Sequence, residues 1–123
     1  MHIEHIGVYA RDTASLSDWY TRALQLHEIR RIERGDGRQP VIFLQGETGA
    51  VVELLPTGES ALAKDLKTPG FTHLGIVVGN LEVEAERLRT LGIAVRDIRE
   101  TSNGWTIGYF SDPEGNILEL VQR

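Results

Sequence analysis

Two stretches of this chain begin alike, and that repetition limits the folds open to it more than any other feature. His5-Ile6-Gly7-Val8 starts one apolar run and His73-Leu74-Gly75-Ile76 starts another. Each is followed by a later apolar run with one glutamate in its middle, Val51-Val52-Glu53-Leu54-Leu55 in the first half and Ile117-Leu118-Glu119-Leu120-Val121 in the second. An imidazole on an early strand and a carboxylate on a late one thus occur twice, in the same order. A chain of 123 residues is one ordinary domain, whereas each half alone would be marginal. The repeat therefore predicts two modules that are covered by one another or by a second copy.

Periodicity fills in the elements. Residues 3–9 alternate as a strand, with Ile3, His5, Gly7 and Tyr9 on one face. From Asp12, an expected N-cap, Leu16, Trp19, Tyr20, Ala23 and Leu24 form one helical stripe. Strands are expected over 27–34, 40–45 and 50–55, separated by the glycine turns 35–37 and 46–49. The polar stretch 56–70 carries two prolines and two glycines and reads as a connector, with a short helical turn over 60–66. The order then returns: a strand over 72–78, a helix capped by Asn80 with Leu81, Ala85, Leu88 and Leu91 on one face, and strands over 93–97, 105–110 and 116–121. Glutamates open that second helix and Arg87 and Arg89 close it, as the helix dipole favours.

The expectation is an α+β class of two tandem βαβββ modules, 1–56 and 71–123, joined by 57–70 in one compact domain. The late strands are apolar on both sides, so both faces of each sheet should be covered. Helices would lie outside, and the inside of a curved, cup-like mixed sheet, or a partner, would cover the face bearing His5, Glu53, His73 and Glu119.

Charge and composition narrow the function. A net charge of −5 with no basic run gives no reason to expect nucleic acid or an anionic membrane. The absence of cysteine excludes disulfides, thiolate ligands and a cysteine nucleophile. No apolar run approaches membrane-spanning length and no signal-peptide core is seen, so the chain reads as cytoplasmic. Two imidazoles and two carboxylates at matching places would converge on one point if the modules are related by a pseudo-twofold. A divalent cation would neutralise buried carboxylates there; two structural His–Glu pairs are the alternative.

With the doubled pattern, the Trp19-Tyr20 pair and the Asp112-Pro113-Glu114-Gly115-Asn116 turn before Glu119, the whole chain resembles the vicinal oxygen chelate superfamily. This group comprises glyoxalase I, methylmalonyl-CoA epimerase, extradiol dioxygenases, fosfomycin-resistance transferases and bleomycin-resistance proteins. The full quartet is most similar to glyoxalase I. That resemblance implies a metal-dependent lyase or isomerase with one divalent transition metal (Ni, Co, Zn, Mn or Fe) on His5, Glu53, His73 and Glu119. It also implies Glu119 or Glu53 as the base that moves a proton on a small-molecule substrate chelated through vicinal oxygens. Four protein ligands leave an octahedral ion two positions, which counts against an oxygenase that must also bind O₂. A metal-free antibiotic-binding protein is the other reading.

The chain departs from bacterial glyoxalase I where that enzyme holds glutathione. Tyr9 stands in place of an arginine and Thr57 in place of an asparagine, so the cation expected for a glutathione carboxylate is missing. Gln25 stands where the family usually has glycine, which bears on capping alone. Tyr9, Phe43, Trp105 and Tyr109 are candidates for the substrate wall. His2 and His27 have no counterpart in the other half and read as surface residues. Homodimerisation is expected because open curved sheets need cover.

Overall fold

The computed structural model describes residues 1–57 and 71–123; the helical turn expected over 60–66 and nearly all of the 57–70 connector lie outside the described residues. The chain divides into two compact units, Met1–Ala61 and Leu62–Arg123. Unit 1 holds β1 (His5–Ala10), α1 (Thr13–Leu24), β2 (His27–Ile32), β3 (Val41–Gln45) and β4 (Val51–Pro56). Unit 2 holds β5 (His73–Val77), α2 (Leu81–Thr90), β6 (Arg96–Glu100), β7 (Thr106–Ser111) and β8 (Ile117–Gln122). Both are βαβββ modules.

Each module forms one four-stranded mixed sheet, in the order β1-β4-β3-β2 and β5-β8-β7-β6. The first and last strands of a module run parallel at one side, and the remaining pairs are antiparallel. This topology puts the histidine strand directly beside the glutamate strand in both cases.

The helices start where short acceptor side chains satisfy their free amides. Asp12 Oδ1 accepts from the Ser15 amide at 2.9 Å and Asn80 Oδ1 from the Val83 amide at 3.0 Å. The N-terminal amide of Leu81 donates to Gln122 Oε1 at 2.7 Å, tying α2 to the end of β8. Gln25 ends α1 in the left-handed region at φ 57°, the conformation that glycine takes more cheaply.

Helix and sheet bury one apolar face between them. In unit 1 this core is Ala10, Leu16, Tyr20, Ala23, Ile42, Leu44 and Leu54; in unit 2 it is Leu81, Leu88, Phe110, Leu118 and Leu120. Gly108 belongs to this packing by necessity. A Cβ there would lie 2.7 Å from Val95 Cγ1 and 3.0 Å from Ile98 Cγ1, both on stiff β-branched side chains.

Two expectations are corrected. The first strand starts at His5 rather than Ile3, since Ile3 is exposed and outside the ladder with β4. The strand expected over 93–97 is Arg96–Glu100: Ile93 still belongs to the end of α2, its amide donating to Leu88 O, while Val95 packs against Gly108. Pairing with β7 then shifts register between Arg96 and Arg99, around Asp97 at φ 53°. On the sheet faces away from the helices Tyr9 is 69% exposed and Val77 65%.

Candidate functional site

Both sheets carry the same row of side chains on the face away from the helix. In unit 1 Glu53 of β4 sits between Gly7 of β1 and Phe43 of β3; in unit 2 Glu119 of β8 sits between Gly75 of β5 and Tyr109 of β7. The histidines occupy the same face two residues before each glycine, as strand alternation requires. The glycines are the carboxylates' neighbours across the parallel pairing: a Cβ at Gly7 would meet Leu55 Cδ1 at 3.2 Å and Glu53 Oε2 at 3.9 Å, and one at Gly75 would meet Glu119 Oε2 at 3.7 Å. On the same face His5 Nε2 stands 3.5 Å from Glu53 Oε2, and His73 Nε2 stands 3.2 Å from Glu119 Oε2. The carboxylates are the better shielded partners, with side chains 19% and 13% exposed.

The second nitrogen of each ring is engaged by the preceding residue. His5 Nδ1–H donates to Glu4 Oε2, and His73 Nδ1 shares a 2.8 Å hydrogen bond with Thr72 Oγ1. With Nδ1 carrying the proton, neutral His5 presents an Nε2 lone pair to a carboxylate oxygen. Two acceptors facing each other need a proton or a cation between them, and an imidazole oriented through Nδ1 is a common arrangement for a metal ligand. The donor chemistry of each pair therefore fits a divalent ion. Each module supplies two such ligands, and no group of three His, Asp or Glu side chains placed to hold an ion occurs among the described residues.

The hydrogen bond His5 donates to Glu4, with the charges of Glu4 and Glu53, raises the His5 pKa above its ordinary value against an opposing effect of desolvation. A raised folded-state pKa means this pair favours the folded protein most below about pH 6.5, where the unfolded histidine is also charged; that advantage is lost as pH rises through the raised value. Glu4→Gln is expected to return the His5 titration midpoint toward ordinary, read from its imidazole C–H shifts by NMR in the metal-free protein. An unmoved midpoint would remove Glu4 from this role.

The row continues past the carboxylates. The Arg30 guanidinium lies 5.7 Å from the centre of the Phe43 ring and the Arg99 guanidinium 5.8 Å from that of Tyr109, within cation–π range. Tyr109 also meets His73 edge-on, with ring centres 5.7 Å apart. Burial and a hydrogen bond with Glu119 push its phenol pKa up, while Arg99 opposes them. Phe43 has no hydroxyl to offer Glu53, so the two pairs differ at this point.

A cavity of about 420 Å³ opens in unit 2 beside Glu119, lined also by Gly75, Trp105, Ile107, Val121 and Arg123. Of the four expected wall residues, Trp105 lines this cavity. Tyr109 is buried beside Glu119, Phe43 lies beside Glu53, and Tyr9 is exposed on β1. His2 and His27 are exposed. The Asp112 carboxylate is consumed by its own turn, accepting from the amides of Glu114 and Asn116 at 2.9 Å and from Asn116 Nδ2 at 2.7 Å. Sequence reasoning did not single out Gly7, Gly75, Glu4, Thr72, Arg30, Arg99 or Arg123. The repeated His-x-Gly was the one available signal for the two glycines.

Paired βαβββ modules, each with a histidine strand parallel to a glutamate strand, define a class of domain. The chain belongs to the Glyoxalase/Bleomycin resistance protein/Dioxygenase superfamily, whose model matches residues 2–120. It is 26% identical to a lactoylglutathione lyase of Pseudomonas aeruginosa, over 96% of this chain and 80% of that protein. Among solved structures it is similar to a glyoxylase/bleomycin resistance protein/dioxygenase domain from Frankia sp. EAN1pec, at 27% identity and a TM-score of 0.80 over 99% and 97% of the two chains. It shares the fold of TnmS3, an antibiotic binding protein from Streptomyces sp. CB03234, at 18% identity and a TM-score of 0.76 over 99% and 95%. No helix among the described residues is long and apolar enough to cross a membrane.

Proposed function

We propose that this chain is a metal-dependent lyase or isomerase that moves a proton on a small molecule chelated through two adjacent oxygens. Its ligands are His5, Glu53, His73 and Glu119, two from each module. The observation that carries this reading is the doubled pair: the same nitrogen and the same carboxylate oxygen face each other at 3.5 and 3.2 Å in both modules. Membership of the superfamily and the likeness to a lactoylglutathione lyase support it.

A bound divalent ion would supply Lewis-acid polarisation of the substrate's oxygens, with Ni²⁺, Co²⁺, Zn²⁺, Mn²⁺ and Fe²⁺ all compatible with two imidazoles and two carboxylates. Either Glu119 or Glu53 can serve as the base, and Glu119 is taken for that role because it lines the cavity of unit 2. It takes the proton from the carbon beside the carbonyl and returns it to the neighbouring carbon. Tyr109 holds the Glu119 carboxylate from one side, while Gly75 leaves the other open to substrate. Glutathione is not required by this reading, since Tyr9 and Thr57 replace the residues that would serve it. The working form is a homodimer in the cytoplasm, a second copy covering the exposed residues Tyr9 on the sheet of unit 1 and Val77 on the sheet of unit 2.

The test is elemental analysis of purified protein, followed by a hemithioacetal isomerisation assay before and after chelation. Metal in proportion to the ligand sets, with activity lost on chelation and restored by metal, is expected. Protein that holds no transition metal even after incubation with these ions would leave a small-molecule binding protein instead.

A further inference from the structure

The cavity in unit 2 contains a cation that the proposed ligands and base do not use. Glu119, Val121 and Arg123 alternate onto one face along β8 and just beyond it, and all three line the cavity. Glu119 puts a carboxylate at one end, while Arg123 puts a guanidinium at the other, on the order of 10 Å away by strand geometry. The guanidinium lies 4.5 Å from the centre of the Trp105 ring. That distance is within cation–π range, and among the described residues the guanidinium forms no salt bridge with a carboxylate, so its N–H donors remain for a ligand. Beside it Ser102 and Asn103 also line the cavity; Asn103 Oδ1 accepts from the Thr101 hydroxyl, leaving the amide N–H₂ as a donor. One end of the cavity thus carries a carboxylate, and the other carries a donor-rich cation beside an indole ring.

We propose that Arg123, held beside the Trp105 ring, binds a carboxylate or phosphate group carried by the substrate at the end away from its reacting atoms. The substrate is then an anionic small molecule whose charge lies several bonds from its vicinal oxygens. The role of the Glu119 end rests on the proposed function; the anion site does not, because its recognition needs no metal.

The experiment uses the full chain, metal-free, and two probes of matched shape, 3-phenylpropionate and its neutral amide, followed through the Trp105 indole N–H signal by NMR. Wild type is expected to bind the carboxylate about tenfold or more tightly than the amide, as a charge-assisted bidentate contact gives. Arg123→Gln should erase that preference and Arg123→Lys should keep part of it. Equal binding of both probes, no saturable shift with either, or a preference that survives Arg123→Gln overturns the proposal. Phenyl phosphate in place of the carboxylate shows which anion is preferred, and equal metal content in Arg123→Gln and wild type keeps this result separate from the fate of the metal reading.

Discussion

If the proposed function holds, Glu119→Gln is expected to lower turnover by roughly 10²- to 10⁴-fold at saturating metal, with little change in KM, because it would remove the proposed base while keeping the shape of the side chain. The amide still fits between Gly75 and Tyr109, so the sheet should be undisturbed. Glu53→Gln should instead act mainly through metal affinity, since Glu53 lines no part of the cavity. The measurement is steady-state kinetics with metal titrated independently for both variants. Losses in turnover and affinity of equal size for Glu119→Gln would argue that it only holds the ion.

The second large effect is on stability. Phe110→Ala is expected to destabilise the fold by about 3–5 kcal/mol, read from urea unfolding followed by circular dichroism. Phe110 is fully buried, paired in register with the equally buried Leu118 under α2. Against a total of some 5–15 kcal/mol for an ordinary domain, that loss is enough to leave much of the chain unfolded at moderate temperature. A loss below about 1 kcal/mol would mean that the interface between α2 and its sheet is loosely packed.

How much of this was legible in the sequence differs by element. Both helices could be read because Asp12 and Asn80 are strong caps and the apolar residues behind them recur at helical spacing. The strands bearing Glu53 and Glu119 could be read because they are apolar on both sides. The edge strands gave weaker signals. Every residue of His27–Ile32 and Arg96–Glu100 is exposed, so backbone pairing rather than an apolar pattern sets their limits, and the second was expected three residues too early.

The site divides in the same way. His5, Glu53, His73 and Glu119 stood out because the chain states the pattern twice. The partners that give the site its chemistry did not stand out. Glu4 and Thr72 each turn a side chain onto the imidazole that follows, and Arg123, just past the end of β8, comes to the same cavity as Glu119, against a tryptophan that precedes β7.

The sequence by itself determined two copies of one βαβββ order and the choice of side chains that repeat within it, since periodicity and capping act over a few neighbouring residues. Only the tertiary structure decided that Nε2 faces Oε2 in both modules, that a glycine is paired with each carboxylate residue, and that a cation beside an indole ring shares a cavity with Glu119. Those are relations between strands brought together by pairing and register, and no local preference of the chain encodes them.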